Sequence, residues 1–129
     1  MILVDTSVWI ELLNRHLGPK ISDEELLNFA TCGPIVQEVL QGLRDVPASD
    51  VFRDAFLALP ILSDPLPRSL FLSASDIYRL GRSKGHTIRS SIDCLIAAIA
   101  IEHDVPVWHR DRDFDVISKF TPLRTTRLG

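Results

Sequence analysis

The sequence predicts an α/β fold: one domain over residues 1-129, with a short, mostly parallel central sheet as the middle layer of an α/β/α sandwich. Three observations predict it. Short apolar runs alternate with stretches of helical periodicity, the pattern of strands that cross over through helices and pair in parallel. Those runs are apolar throughout rather than at every second residue, so both faces of each strand should be covered. Several acidic residues fall where the runs end, the edge at which parallel sheets bind ligands.

Ile2-Leu3-Val4 reads as the first strand. Asp5-Thr6-Ser7 ends it and starts a helix in which Val8, Trp9, Leu12 and Leu13 recur at helical spacing. Ser22-Asp23-Glu24-Glu25 has the form of a capping box and should open a second helix through Leu26, Leu27 and Phe29. A short strand is expected between Ala30 and Val36, broken by Gly33-Pro34, and Val36, Val39, Leu40 and Leu43 mark the helix after it. Ser49 or Asp50 should cap the next helix, with Val51, Phe52, Ala55, Phe56 and Leu59 on its buried face. Pro60-Ile61-Leu62 reads as a strand, and Leu70 to Arg82 as a helix stopped by Gly85. Ser90 or Ser91 starts the most hydrophobic helix, Ile92 to Glu102. Val105 to Trp108 follows as a strand whose proline sits near its first position, where it is tolerated. Phe114, Val116, Ile117 and Phe120 form a short helix, and Leu123 to Leu128 supply a last strand.

Composition narrows the function classes. At 46% hydrophobic and 24% charged, the chain has the apolar material that a disordered protein lacks. No apolar run approaches the roughly 18–20 residues needed to cross a bilayer, and MILVDTSVWIELL lacks the basic start of a signal peptide. Cys32 and Cys94 lie in apolar contexts without zinc-ligand spacing, so they read as buried thiols of a reducing, cytoplasmic compartment. A net charge of −3 argues against nonspecific coating of nucleic acid, unless the acids are concentrated at one place.

They are. Asp5 follows the first strand, and Asp111 and Asp113 follow the strand ending at Trp108. Asp93 stands at the start of SIDCLIAAIAI, a segment heading into the core, and Glu38 is flanked by Val36, Val39 and Leu40. Singly, each has an ordinary explanation as a helix cap, a dipole partner or a loop acid. Converging on one edge, they repel one another and are costly to bury. A divalent cation with oxygen ligands resolves that cost, and such a site activates water for phosphoryl chemistry. Neutralisation by Arg110 and Arg112, which flank Asp111, is the competing reading.

MILVDTSVWIELL, GPIVQEVLQGLR and SSIDCLIAAIAIEHDVPVWHRDRDFDVI together resemble the PIN-domain ribonucleases, and most closely the VapC-type toxins of toxin–antitoxin pairs. The resemblance covers nearly the whole chain, in the family's order and spacing. It implies a PIN-like domain and an endoribonuclease that cuts RNA phosphodiester bonds with Mg2+ or Mn2+. It places the family's acidic quartet on Asp5, Glu38, Asp93 and Asp111, with Asp113 as a second candidate for the fourth position. Asp5 and Asp93 would hold the main metal, while Glu38 and Asp111 complete the pocket. Thr6 and Ser7 would orient Asp5. The resemblance further implies a VapB-like antitoxin, received in an apolar groove near Trp9, Leu12 and Leu13, and a homodimer.

RLGRSKGHTIR, immediately before Asp93, contains no acid, and its Arg82, Lys84 and Arg89 are candidates for contact with RNA phosphates. His109 reads as a structural histidine, and Trp9 and Trp108 as core. Three alternatives remain: a housekeeping nuclease of the same fold without an antitoxin, a receiver-like module, and a noncatalytic interaction module. Receiver domains carry an acidic pair after the first strand, where this chain has Asp5-Thr6-Ser7.

Overall fold

The computed structural model describes residues 1–14 and 21–129. Five strands form one sheet: β1 (Ile2–Val4), β2 (Phe29–Cys32), β3 (Ile61–Leu62), β4 (Val107–His109) and β5 (Thr125–Arg127). Their order is β3-β2-β1-β4-β5, and every adjacent pair is parallel. The expected mostly parallel sheet is therefore entirely parallel among the described residues. Helices connect the strands: α1 (Thr6–Leu13), α2 (Asp23–Leu26), α3 (Gly33–Gln41), α4 (Pro47–Leu57), α5 (Arg68–Ser83), α6 (Ser91–Glu102) and α7 (Arg112–Ile117).

The strand order fixes where a ligand can sit. From β1 the chain builds outward through β2 to β3, then returns to lay β4 against the other side of β1. The reversal opens a crevice beyond the carboxyl ends of β1 and β4, the place where open parallel sheets bind their ligands. Asp5 and the Asp111–Asp113 segment border that crevice. The register Leu3↔Val107 and Val4↔Trp108 and the Asp5 N–H donating to the Trp108 carbonyl (2.9 Å) lock the two strand ends together.

Helix α6 is the centre of the core. Every residue from Cys94 to Ala100 is buried, and α5 packs along it. An apolar helix of this kind is stable only when covered on all sides. Gly81 of α5 permits the close approach of Phe120: a Cβ there would lie 2.8 Å from its Cζ. On the other side of the fold, Trp9 meets Phe29, Phe52 and Phe56 edge-on at ring separations of 5.1–5.9 Å.

Several local expectations need correction. The capping box at Ser22 and Glu25 forms, but α2 stops at Leu26, and Phe29 opens β2 instead. Gly33-Pro34 does not interrupt a strand; it starts α3, with proline in the first turn where its missing N–H costs nothing. Helix α4 begins at Pro47 rather than at Ser49 or Asp50, for the same reason. Val51 and Ala55 are exposed, so its buried stripe is narrower than expected. The penultimate strand is displaced to Val107–His109, which brings His109 into the sheet.

Candidate active site

Four of the acids are delivered to the crevice by helix starts. Asp5 caps α1: its carboxylate accepts the Ser7 N–H (3.0 Å) and the Ser7 hydroxyl. That hydroxyl in turn accepts the Arg110 N–H (2.9 Å), so Ser7 bridges the segment after β4 to Asp5. Asp111 caps α7 by accepting the Asp113 N–H at 2.9 Å. Asp93 lies in the first turn of α6. Asp113, 1% exposed, accepts the N–H groups of Arg89 (3.1 Å) and Ser90 (2.9 Å) with its two oxygens. Ser90 caps α6 without using its own side chain, and Asp113 anchors the backbone at that position.

Carboxylate oxygens of Asp93, Asp111 and Asp113 lie within 4.8 Å of one another. Asp5 borders the cluster closely enough to feel the charge of Asp111. Glu38, on α3, is exposed at the rim and accepts a hydrogen bond from the Thr6 hydroxyl (3.3 Å). Thr6 thus directs its hydroxyl to Glu38, while Ser7 orients Asp5. Arg82, Lys84 and Arg89 are all exposed on the segment leading to α6, and the Arg82 guanidinium lies over the Tyr78 ring at 5.9 Å.

The electrostatics follow from burial and like charge. Desolvation, the neighbouring Asp111, a contact with Asp113 and the charge of Asp5 push Asp93 up to about 9. Burial raises Asp5, opposed by its bonds from Ser7, and burial with the charge of Asp5 raises Glu38. Among the described residues, no Lys or Arg side chain forms an ion pair with any of these five acids; Arg110 reaches Glu11 instead (2.8 Å). The buried Oδ2 of Asp93 has no hydrogen-bond partner. Neutralisation by arginine is therefore excluded for the described residues, and the all-oxygen donor set fits a hard divalent cation. Burial also holds the thiols of Cys32 and Cys94 protonated, at about 12 and about 11, as inert core groups.

Beside the acids lies a histidine that the sequence alone marks only as structural. His109 is fully buried, and burial lowers its pKa. Its Nδ1 accepts the Asp111 N–H (3.1 Å), and its Nε2 lies 3.5 Å from Asp115, which is paired with Arg127. The PIN-domain family model matches residues 2–119. The chain belongs to the PIN-domain family. Within it, this PIN domain is 40% identical to Ribonuclease VapC11 of Mycobacterium tuberculosis and to a VapC ribonuclease of Mycobacterium bovis, covering 96% of each chain. It is therefore a PIN domain of the VapC ribonuclease family. Its fold matches VapBC-1 from nontypeable Haemophilus influenzae at a TM-score of 0.73 and 18% identity, covering 98% of both chains. It matches VapBC2 from Rickettsia felis, solved with a DNA fragment from the promoter, at 0.71 and 16% over the full length of both. No described helix is long and apolar enough to cross a membrane.

Proposed function

We propose that the protein is a divalent-metal-dependent endoribonuclease that cuts RNA phosphodiester bonds and serves as the toxin of a VapBC-type toxin–antitoxin pair. One observation carries the reading: the carboxylates of Asp93, Asp111 and Asp113 converge within 4.8 Å, with the Asp93 Oδ2 buried and unpartnered and no described Lys or Arg paired with any of them. Asp5, Glu38, Asp93 and Asp111 would hold Mg2+, with Mn2+ as a substitute. When bound, such an ion acidifies water and stabilises negative charge on a phosphodiester. The chain's own residues prepare that chemistry. Ser7 fixes Asp5, Thr6 aims Glu38 at the rim to orient the attacking water, and Asp113 holds the start of α6 so that Asp93 faces inward. Arg82, Lys84 and Arg89 would meet RNA phosphates beside the pocket.

The names of the relatives that are 40% identical support the substrate class, and the toxin–antitoxin complexes among the structural neighbours support the partner. A groove of about 330 Å³ lined by Trp9, Leu12, Leu13, Leu26 and Phe52 would receive the antitoxin. The complex would operate in the cytoplasm, as homodimers of the toxin.

The test is cleavage of RNA by purified protein with Mg2+, Mn2+ or a chelator, beside the Asp93→Asn variant. Cleavage should require the metal and fall by roughly a hundredfold or more in the variant, the scale of losing one charge-stabilising group. Equal cleavage by both proteins would overturn the nuclease. Growth arrest on expression, relieved by a co-encoded small protein, distinguishes the toxin from a housekeeping nuclease.

A further inference from the structure

We propose that His109 is a positioning residue for the acid cluster: clamped from behind by Asp115 and Arg127, its ring holds Asp111 where it faces Asp93 and Asp113. The role concerns the metal pocket proposed above and rests on that reading for its chemical consequence.

Four contacts argue for it. His109 ends β4 with no solvent exposure, and its Nδ1 accepts the N–H of Asp111 at 3.1 Å. An accepting Nδ1 bears no proton, so the ring is the neutral tautomer with its hydrogen on Nε2. That Nε2 lies 3.5 Å from Oδ1 of Asp115, while the other Asp115 oxygen takes the Arg127 guanidinium from β5. Phe114 packs against the ring with centroids 5.3 Å apart. The imidazole is thus held by one hydrogen bond at Nδ1 and by packing on its face, with the Asp115 carboxylate near an Nε2 that has no hydrogen-bond partner.

The bond to Asp111 closes a tight turn between the end of β4 and the cap of α7, in place of the amide oxygen that an asparagine offers its own backbone two residues on. Asp111 has to leave the strand, cap α7 through Oδ1 and still present its carboxylate to Asp93. Its backbone amide is the point at which that direction is set. A buried leucine at 109 would fill similar space but leave the Asp111 N–H without its acceptor. Groups that orient metal ligands in this way carry about 10–100-fold in metal affinity.

The experiment uses protein without RNA. Mn2+ binding is titrated by electron paramagnetic resonance, and exchange of the Asp111 amide hydrogen is followed by nuclear magnetic resonance. His109→Leu should weaken Mn2+ binding about 10–100-fold and accelerate exchange. His109→Asn, whose oxygen can accept the same N–H, should recover most of both. Arg127→Met, at the exposed end of the clamp, should shift both in the same direction but less. Leucine performing as well as asparagine would overturn the proposal, since a packing role predicts that result. If His109→Leu does not fold, the decision passes to Arg127→Met: a shift in both readouts supports the clamp, and wild-type behaviour overturns it. If wild-type protein binds no Mn2+, the metal reading fails, and the amide comparison alone still decides whether His109 holds Asp111.

Discussion

Asp111 and Asp113 stand two positions apart on the chain and have different duties. Both oxygens of Asp113 are taken by the backbone at the start of α6, whereas Asp111 uses one to cap a helix of a turn and a half. Asp113→Ala removes two charge-assisted hydrogen bonds to part-buried N–H groups at the start of α6 and should cost about 2–4 kcal/mol. Asp111→Ala removes an N-cap and should cost about 1 kcal/mol. Urea denaturation of the two variants, with metal absent, measures the difference; equal losses would contradict these assignments. The sequence displayed the acids because each interrupts an apolar context, as Asp93 does in SIDCLIAAIAI. It hid the use of Asp113, because the amides it accepts lie 23 and 24 residues earlier and nothing local marks them. The tie from His109 through Asp115 to Arg127 was hidden for the same reason: only the pairing of β4 with β5 brings Arg127 near.

Elements were legible where local chemistry decides and illegible where packing does. The Ser22–Glu25 box closes within its own four residues, so it could be read directly, but the length of α2 depends on where β2 must join β1. In α4 the fixed φ of Pro47 outweighs the capping tendency of Ser49 and Asp50. Its burial pattern needed knowledge of what lies opposite: Phe56 meets Trp9, while Val51, five residues earlier on the helix, remains 73% exposed. Between α5 and the Phe120 segment the deciding quantity is space. Gly81→Ala would bring a methyl within 2.8 Å of Phe120 Cζ and 3.2 Å of Ile88 Cδ1. Overpacking at this contact should cost about 1–3 kcal/mol, read as a lower denaturation midpoint, although alanine is the better helix former.

For the whole molecule, the acid cluster makes stability depend on pH in an unusual direction. The folded chain holds a proton on Asp93 up to about 9, while the unfolded chain releases it near the ordinary value of 3.8. Between those values the native state binds more protons, so stability falls as pH rises through the window. The upward shifts of Asp5 and Glu38 act in the same sense. In chelator, the melting temperature should decline from pH 6 to pH 9, and Asp93→Asn should flatten that decline. Mg2+ has to displace the proton, so the temperature it restores should be larger at pH 8 than at pH 6. A melting temperature that rises with pH in chelator would contradict the buried, unpaired cluster. The sheet order carries one more consequence, in time rather than in space. Strand β1 leaves the ribosome before the other described strands yet lies in the middle of the sheet, and one of its two neighbours, β4, is made only after α1 to α6. Such non-local pairing waits for its partner. Asp5 therefore stays apart from Asp93 and Asp111 while the intervening helices are made, and a growing chain lacks the pocket until β4 and the segment after it have emerged.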